Sequence, residues 1–224
     1  MGSSRLPGKV MMKINEKPLL YYVLNQVKAS KHVSRIFVAT STLPQDDEIE
    51  LYANSQKVEV FRGSETDVLD RFYQCAKKFS LDPIVRISAD SPFVDPQIID
   101  QCIENFQKTN VDYLSNVVKY EKTSWKEHHN GFPYGTAVEI FSFKSLEKSW
   151  RESIKPSDRE HVTEYIINNS EKFRLDSISN FTDQSKFRIV VDTEDDFKQA
   201  ENIIMNMGST TTFDINNIIS FLKK

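Results

Sequence analysis

Ile189-Val190-Val191-Asp192-Thr193-Glu194-Asp195-Asp196 is an apolar, β-branched run that stops on a carboxylate and passes straight into a helix start. Thr193 is a good N-cap, and Asp196 three residues on completes a capping box, so Asp192 is not needed as the cap. Asp195 and Asp196 answer to the dipole of the first helical turn and are left out of any site. A second run of the same kind, Val85-Arg86-Ile87-Ser88-Ala89-Asp90-Ser91-Pro92, ends on Asp90, which is also readable as a turn residue ahead of Pro92. Open α/β sheets bind ligands at the carboxyl ends of their strands. The two runs therefore point to a fold class and to two residues within it.

The same alternation extends along the chain. Strands are expected over 35–40, 58–61, 83–88, 113–117, 137–141, 174–178 and 188–192, and helices over 18–29, 46–54, 67–79, 96–108, 143–151, 157–168, 194–207 and 214–222. This is the sequence form of a mixed, mainly parallel sheet with helices on both faces. Asp95-Pro96 marks one helix start, an N-cap followed by proline. Residues 119–135 lack a clear period and read as a loop or hairpin excursion from a single domain spanning 1–224, and as a candidate homodimer arm.

Composition narrows the function. With 224 residues, 39% hydrophobic and 27% charged, the chain can bury one sizeable core. A net charge of −3 excludes a protein sheathed in basic residues for nucleic acid. No apolar run approaches the ~18 residues of a membrane span, so no membrane insertion is expected. Cys75 and Cys102 stand far apart without ligand or redox spacing and read as reduced core residues, and the expected compartment is the cytoplasm.

The positive charge is local. Over Met1–Arg35 seven basic residues face the single acid Glu16. Two of only six glycines fall in Met1-Gly2-Ser3-Ser4-Arg5-Leu6-Pro7-Gly8-Lys9. Small residues let backbone N–H groups approach an anion, Arg5 offers a fork of donors and Lys9 a point charge, which suits a triphosphate. A tail with incidental charges is the other reading. Two strand-end carboxylates, Asp90 and Asp192, suit a shared Mg²⁺, since this ion takes one or two carboxylates plus waters and phosphates. Such a group serves phosphoryl or nucleotidyl transfer. No Ser or Cys nucleophile with its base is evident, and His32, His128, His129 and His161 are too scattered for zinc.

Five segments, MGSSRLPGK (1–9), FRGSETDVLDRFYQ (61–74), VRISADSPFVDP (85–96), SDREHVTEYI (157–166) and VVDTEDDF (190–197), in this order resemble the cytidylyltransferase family of the spore-coat polysaccharide biosynthesis protein F type. More distantly the chain is similar to the cytidylyltransferases that activate 3-deoxy-manno-octulosonate and acylneuraminate. The resemblance implies a nucleotide-diphospho-sugar transferase fold, Rossmann-like and GT-A-like, with Mg²⁺ as cofactor. It further implies transfer of CMP from CTP to a sugar, sugar acid or polyol phosphate, with release of pyrophosphate. Arg5 and Lys9 match the triphosphate-holding positions, Gly2, Ser3 and Ser4 the loop backbone, and Asp90 and Asp192 the metal-binding aspartates. Thr40, Ser41, Ser64, Asp67 and Arg71 fall where the family approaches the base. Tyr134, Glu139, Glu160 and His161 fall in segments similar to those lining its sugar pocket. Glu139 is also readable as a solvent-facing strand residue, and Glu160-His161 as a helix-surface pair. Phe72, Tyr73, Trp125 and Trp150 read as core or interface. The family's opening strand and the arginine before the methionine are absent, so we expect the natural polypeptide to begin upstream. Two other readings are compatible with these residues, a nucleotide-sugar-dependent glycosyltransferase of related fold and a non-catalytic nucleotide-binding homologue.

Overall fold

Two-residue alternation organises the centre of the computed structural model, which describes residues 1–117, 130–208 and 212–224. In β5 (Ile84–Arg86), β6 (Tyr113–Ser115) and β7 (Glu139–Phe141), Ile84, Phe141 and Tyr113 stand side by side, as do Val85, Ile140 and Leu114. Successive side chains point to opposite faces of a sheet, so the two triplets enter different cores. The first packs with Leu69, Tyr73 and Ala76 of α3 (Val68–Phe79), Leu146 of α5 (Phe143–Glu152) and Tyr165 of α7 (Glu164–Asn168). The second packs with Val23 and Val27 of α1 (Leu19–Lys28) and with Ile98, Ile99, Cys102 and Ile103 of α4 (Pro96–Lys108). Helices thus cover both faces, as the sequence pattern predicts.

The sheet is mixed. β3 (Phe37–Ser41) and β4 (Glu59–Gly63) pair in parallel across α2 (Asp47–Ser55), and β6 pairs in parallel with β8 (Leu175–Ser177). The antiparallel pairing of this larger sheet runs through β7, which wedges between β5 and β6 in the order β5-β7-β6-β8. A short hairpin, β1 (Lys13–Ile14) with β2 (Lys17–Pro18), leads into α1. Pro18 gives α1 no side-chain cap, yet the helix buries Leu19, Leu20, Tyr22, Val23, Leu24 and Val27. At ~2 kcal/mol per buried aliphatic side chain, packing outweighs the ~1 kcal/mol of a missing cap.

Two expectations are corrected. Residues 188–192 form no ladder strand: they are tied at single points, Ile189 N–H to Tyr134 O (2.8 Å) and Val191 N–H to Asp90 O (2.9 Å), with one parallel bridge between Tyr134 and Arg188. In the facing segment Gly135 turns with φ +107° so close that a Cβ would stand 2.4 Å from Val190 N. Gly135→Ala is accordingly expected to lose on the order of 2–3 kcal/mol in urea denaturation, by pushing on the segment that carries Asp192. The helix expected over 157–168 is broken into α6 (Pro156–His161) and α7. Between them Val162 adopts φ 59°, ψ −58°, and Thr163 N–H reaches His161 O at 2.6 Å, a γ-turn that is strained for a β-branched residue.

The chain ends on α8 (Glu194–Asn206) and α9 (Ile215–Leu222). The Thr193–Asp196 capping box forms. Asp95 starts α4 by accepting Gln97 N–H (2.8 Å), and its other oxygen accepts Ile215 N–H (2.9 Å) at the start of α9. No helix among the described residues is long and apolar enough to cross a membrane. Trp125, His128 and His129, and most of the 119–135 excursion, lie outside the described residues.

Candidate active site

Lys9 opens a short 3-10 turn, Lys9–Met11, behind Gly8, whose φ of +72° suits glycine. The lysine is only 7% exposed. Its ammonium donates to Asp90 Oδ2 at 2.9 Å, to Asp192 Oδ1 at 2.9 Å and to the carbonyl of Val191 at 2.7 Å. The two carboxylates singled out from the sequence are thus brought together on a single nitrogen. Asp90 arrives from the end of the β5 run and Asp192 from the extended segment before α8. Arg5, 61% exposed at its side chain, reaches Asp192 Oδ1 at 3.1 Å from the same opening loop.

A further cation completes the group. Arg188 donates to Asp192 Oδ2 (2.9 Å) and to both oxygens of Asp196 (2.9 and 3.0 Å), and its guanidinium lies 4.6 Å from the Tyr134 ring centroid. Sequence reading missed Arg188. The available signal was the two-residue period of the extended run, which places 188 and 192 on one side. Burial pushes the Asp192 carboxyl up, but the Lys9 and Arg188 bonds and the Arg5 charge outweigh it and hold it below the usual carboxylate range. Burial opposes the Arg188 and backbone bonds at Asp196 too, and the bonds bring that carboxyl down to about 2.

Both groups bind fewer protons folded than unfolded, so the stability they contribute is complete above the unfolded pKa near ~4 and is lost as pH falls through the folded values. Stability is therefore expected to drop between about pH 5 and pH 2, and Arg188→Gln to flatten that drop, as read from urea midpoints across the range.

The nucleotide-side residues are arranged less openly. The Thr40 and Ser41 hydroxyls both donate to Asp46 Oδ2, at 2.6 and 2.7 Å, and so brace the turn after β3. Asp67 caps α3 through Asp70 N–H (2.9 Å) and forms an ion pair with Arg159. Ser64 Oγ accepts Asp67 N–H at 3.0 Å, and Arg71 donates to Ser64 O at 2.6 Å. Arg71 packs over Gly63, where a Cβ would meet Arg71 Cγ at 2.9 Å, and its Nε is buried without a hydrogen-bond partner among the described residues. The opening loop lies beside this wall, since a Cβ on Gly2 would stand 3.1 Å from Glu65 Oε1. Ser3 Oγ accepts Leu6 N–H at 3.3 Å, closing the loop on itself, and Ser4 is exposed.

On the far side the solvent-facing reading of Glu139 is corrected. It is 3% exposed and enclosed by hydrogen-bond partners. One oxygen accepts from Tyr113 OH (2.9 Å) and Thr163 Oγ1 (2.7 Å), and the other pairs with Arg86, its cross-strand neighbour. Glu139 therefore anchors the α6–α7 junction from below, while Glu160 and His161 stand exposed on that junction. The aromatics behave as core: Tyr73 stacks on Trp150 at 4.2 Å and on Phe143 at 5.8 Å, and Phe72 lies under Arg86 at 5.9 Å. Cys75 and Cys102 are free and buried, and burial pushes their thiols up to about 11 and about 12, which removes them as nucleophiles near neutrality.

The profile described as Cytidylyltransferase matches residues 1–221. The chain belongs to the cytidylyltransferase family. It is 29% identical over 234 residues to the spore coat polysaccharide biosynthesis protein SpsF of Bacillus subtilis, covering 100% of this chain and 91% of that relative. A solved cytidylyltransferase from Leptospira borgpetersenii serovar Hardjo-bovis superposes with a TM-score of 0.90 at 31% identity, covering 100% of this chain and 90% of that one. A solved CMP:2-keto-3-deoxy-manno-octonic acid synthetase, complexed with CTP, gives 0.68 at 14% identity, covering 92% and 95%. This likeness bears on the fold alone. The fold of this cytidylyltransferase is the nucleotide-diphospho-sugar transferase fold, and the chain is a nucleotidyltransferase.

The donor set also bears on a metal. Among the described residues no three His, Cys, Asp or Glu side chains gather as a metal cage. Two converging carboxylates do not suffice to coordinate an ion alone, but they fit Mg²⁺ that keeps waters and shares phosphate oxygens. A cleft of about 460 Å³ lined by Ala29, Asp95, Gln97, Phe213, Asp214 and Asn217 shares no residue with this group. Its buried acid, Asp95, is engaged in capping two helices.

Proposed function

We propose that this cytidylyltransferase transfers CMP from CTP to a sugar, sugar acid or polyol phosphate and releases pyrophosphate, in the cytoplasm, for a surface polysaccharide or glycan. The observation that carries the reading is the convergence of Asp90 and Asp192 on Lys9, with Arg5 and Arg188 alongside. Asp90 and Asp192 would hold Mg²⁺, which when bound supplies charge neutralisation on the triphosphate. Arg5, being exposed, receives the β- and γ-phosphates together with Lys9 and the Gly2–Ser4 backbone, offsetting the charge that builds on the departing pyrophosphate. Ser64, Asp67 and Arg71, with Thr40 and Ser41 bracing the turn behind them, form the wall toward the base. Tyr134, Glu160 and His161 form the acceptor side, with Glu139 fixing Thr163 beneath them. The acceptor oxygen attacks the α-phosphorus, its proton passes to solvent, an O–P bond forms and the α–β bridge breaks. A homodimer through the 119–135 excursion belongs to the same proposal.

The test is pyrophosphate release with each of the four common nucleoside triphosphates against a panel of acidic sugars and phosphorylated polyols. CTP-dependent release with one acceptor class is the expected result. Turnover of a nucleotide-sugar without pyrophosphate would favour the glycosyltransferase reading, and no calorimetric binding of CTP with Mg²⁺ would favour a non-catalytic homologue.

A further inference from the structure

We propose that Lys9 is an internal counterion standing in for the divalent ion: it holds Asp90 and Asp192 together in the free protein and leaves them for the triphosphate, so that metal and nucleotide bind as a coupled pair. The inference rests on the metal-and-nucleotide reading above and concerns how that site is controlled.

The geometry carries it. A lysine ammonium has three N–H donors, and all three are engaged, by Asp90 Oδ2, Asp192 Oδ1 and Val191 O. In this position Lys9 has no hydrogen left for a phosphate oxygen. It cannot serve the carboxylates and a triphosphate in the same way at once, so the two roles succeed one another.

Charge points the same way. Asp90, Asp192 and Asp196 face Lys9, Arg5 and Arg188, three of each sign. A divalent ion arriving alone meets an ammonium already seated on both carboxylates and leaves excess positive charge beside the buried Lys9 and Asp192 side chains, where repulsion is screened less than at the surface. A triphosphate arriving with the ion restores balance and offers the ammonium new oxygens. Movement asks little of the backbone, because the charge sits on a flexible four-carbon stem. Arg5, on the same Asp192 oxygen but exposed, is the loop cation a triphosphate meets first.

By linkage, whatever tightening the nucleotide gives the metal, the metal gives the nucleotide. Removing the ammonium without replacing its charge should strengthen binding of the metal alone. The experiment counts free Mn²⁺ by electron paramagnetic resonance in titrations of the full chain without nucleotide. Lys9→Met and Lys9→Gln, each checked by circular dichroism, are expected to bind one Mn²⁺ at least ten-fold more tightly than the unchanged protein. Adding Asp90→Asn should abolish the gain. Equal or weaker binding in the folded variants, or a gain that survives Asp90→Asn, overturns the inference.

A second arm needs no substitution. The Lys9 ¹⁵Nζ resonance of the unchanged protein should stay in place with millimolar Mg²⁺ alone and shift when CTP and Mg²⁺ are added together. A resonance unmoved by the pair overturns the inference as well. The functional reading fails separately: a protein that releases no pyrophosphate yet shows tightened Mn²⁺ binding in Lys9→Met loses the activity and keeps the counterion. Unchanged Mn²⁺ affinity in an active enzyme does the reverse.

Discussion

Asp192→Asn and Asp90→Asn will each reduce pyrophosphate release from CTP by roughly a thousand-fold or more, about 4 kcal/mol of transition-state stabilisation, while the circular dichroism spectrum stays that of the unchanged protein. Asparagine keeps the shape of the side chain and removes its charge, and at Asp192 it sets a neutral amide against Arg5, Lys9 and Arg188. The fold survives because the start of α8 depends on Thr193 and Asp196, not on Asp192. Near-normal release in either variant would remove the carboxylate pair from the mechanism.

Glu139→Ala will cost about 3–5 kcal/mol in urea-induced unfolding, the range for breaking a buried ion pair from one side. The loss has three parts: Arg86 loses its ion-pair partner, Tyr113 OH loses its Glu139 acceptor, and Thr163 Oγ1 is left with only its long contact to His161 O. Burial, then the Glu139 charge, raise the Tyr113 phenol well above its usual range, so the neutral phenol is a donor throughout the accessible pH. Glu139→Gln, which keeps an acceptor, is expected to lose less than Glu139→Ala. A change below ~1 kcal/mol for the alanine variant would mean that the network relaxes around the gap.

What the sequence discloses depends on how local the physics is. Asp90 and Asp192 are legible because each terminates its own apolar run, and strand ends are where such sheets bind ligands. The Thr193–Asp196 box and the Asp95-Pro96 start are legible because capping acts over three residues. Arg86 and Glu139 are not, because their contact exists only after β7 slips between β5 and β6, a step no periodicity announces. The break at Val162 is hidden for a related reason: His161-Val162-Thr163 suits a helix, and only the anchoring of Thr163 to Glu139 accompanies the turn. Residues 188–192 have the composition of a strand, yet they pair at one bridge only, beside a positive-φ glycine that lies in another segment altogether. Lys9 was readable as a charge, but its enclosure between two acids depends on three distant segments meeting.

Asp95 ties together parts of the chain that are otherwise remote. Since one carboxylate receives both Gln97 N–H and Ile215 N–H, it joins the start of the final helix to the start of α4, beside the core packing of Ile215, Ile218 and Ile219. Loss of the Asp95 carboxylate would therefore loosen two helix starts at once, although Ile215 lies 120 residues beyond Asp95 in the chain.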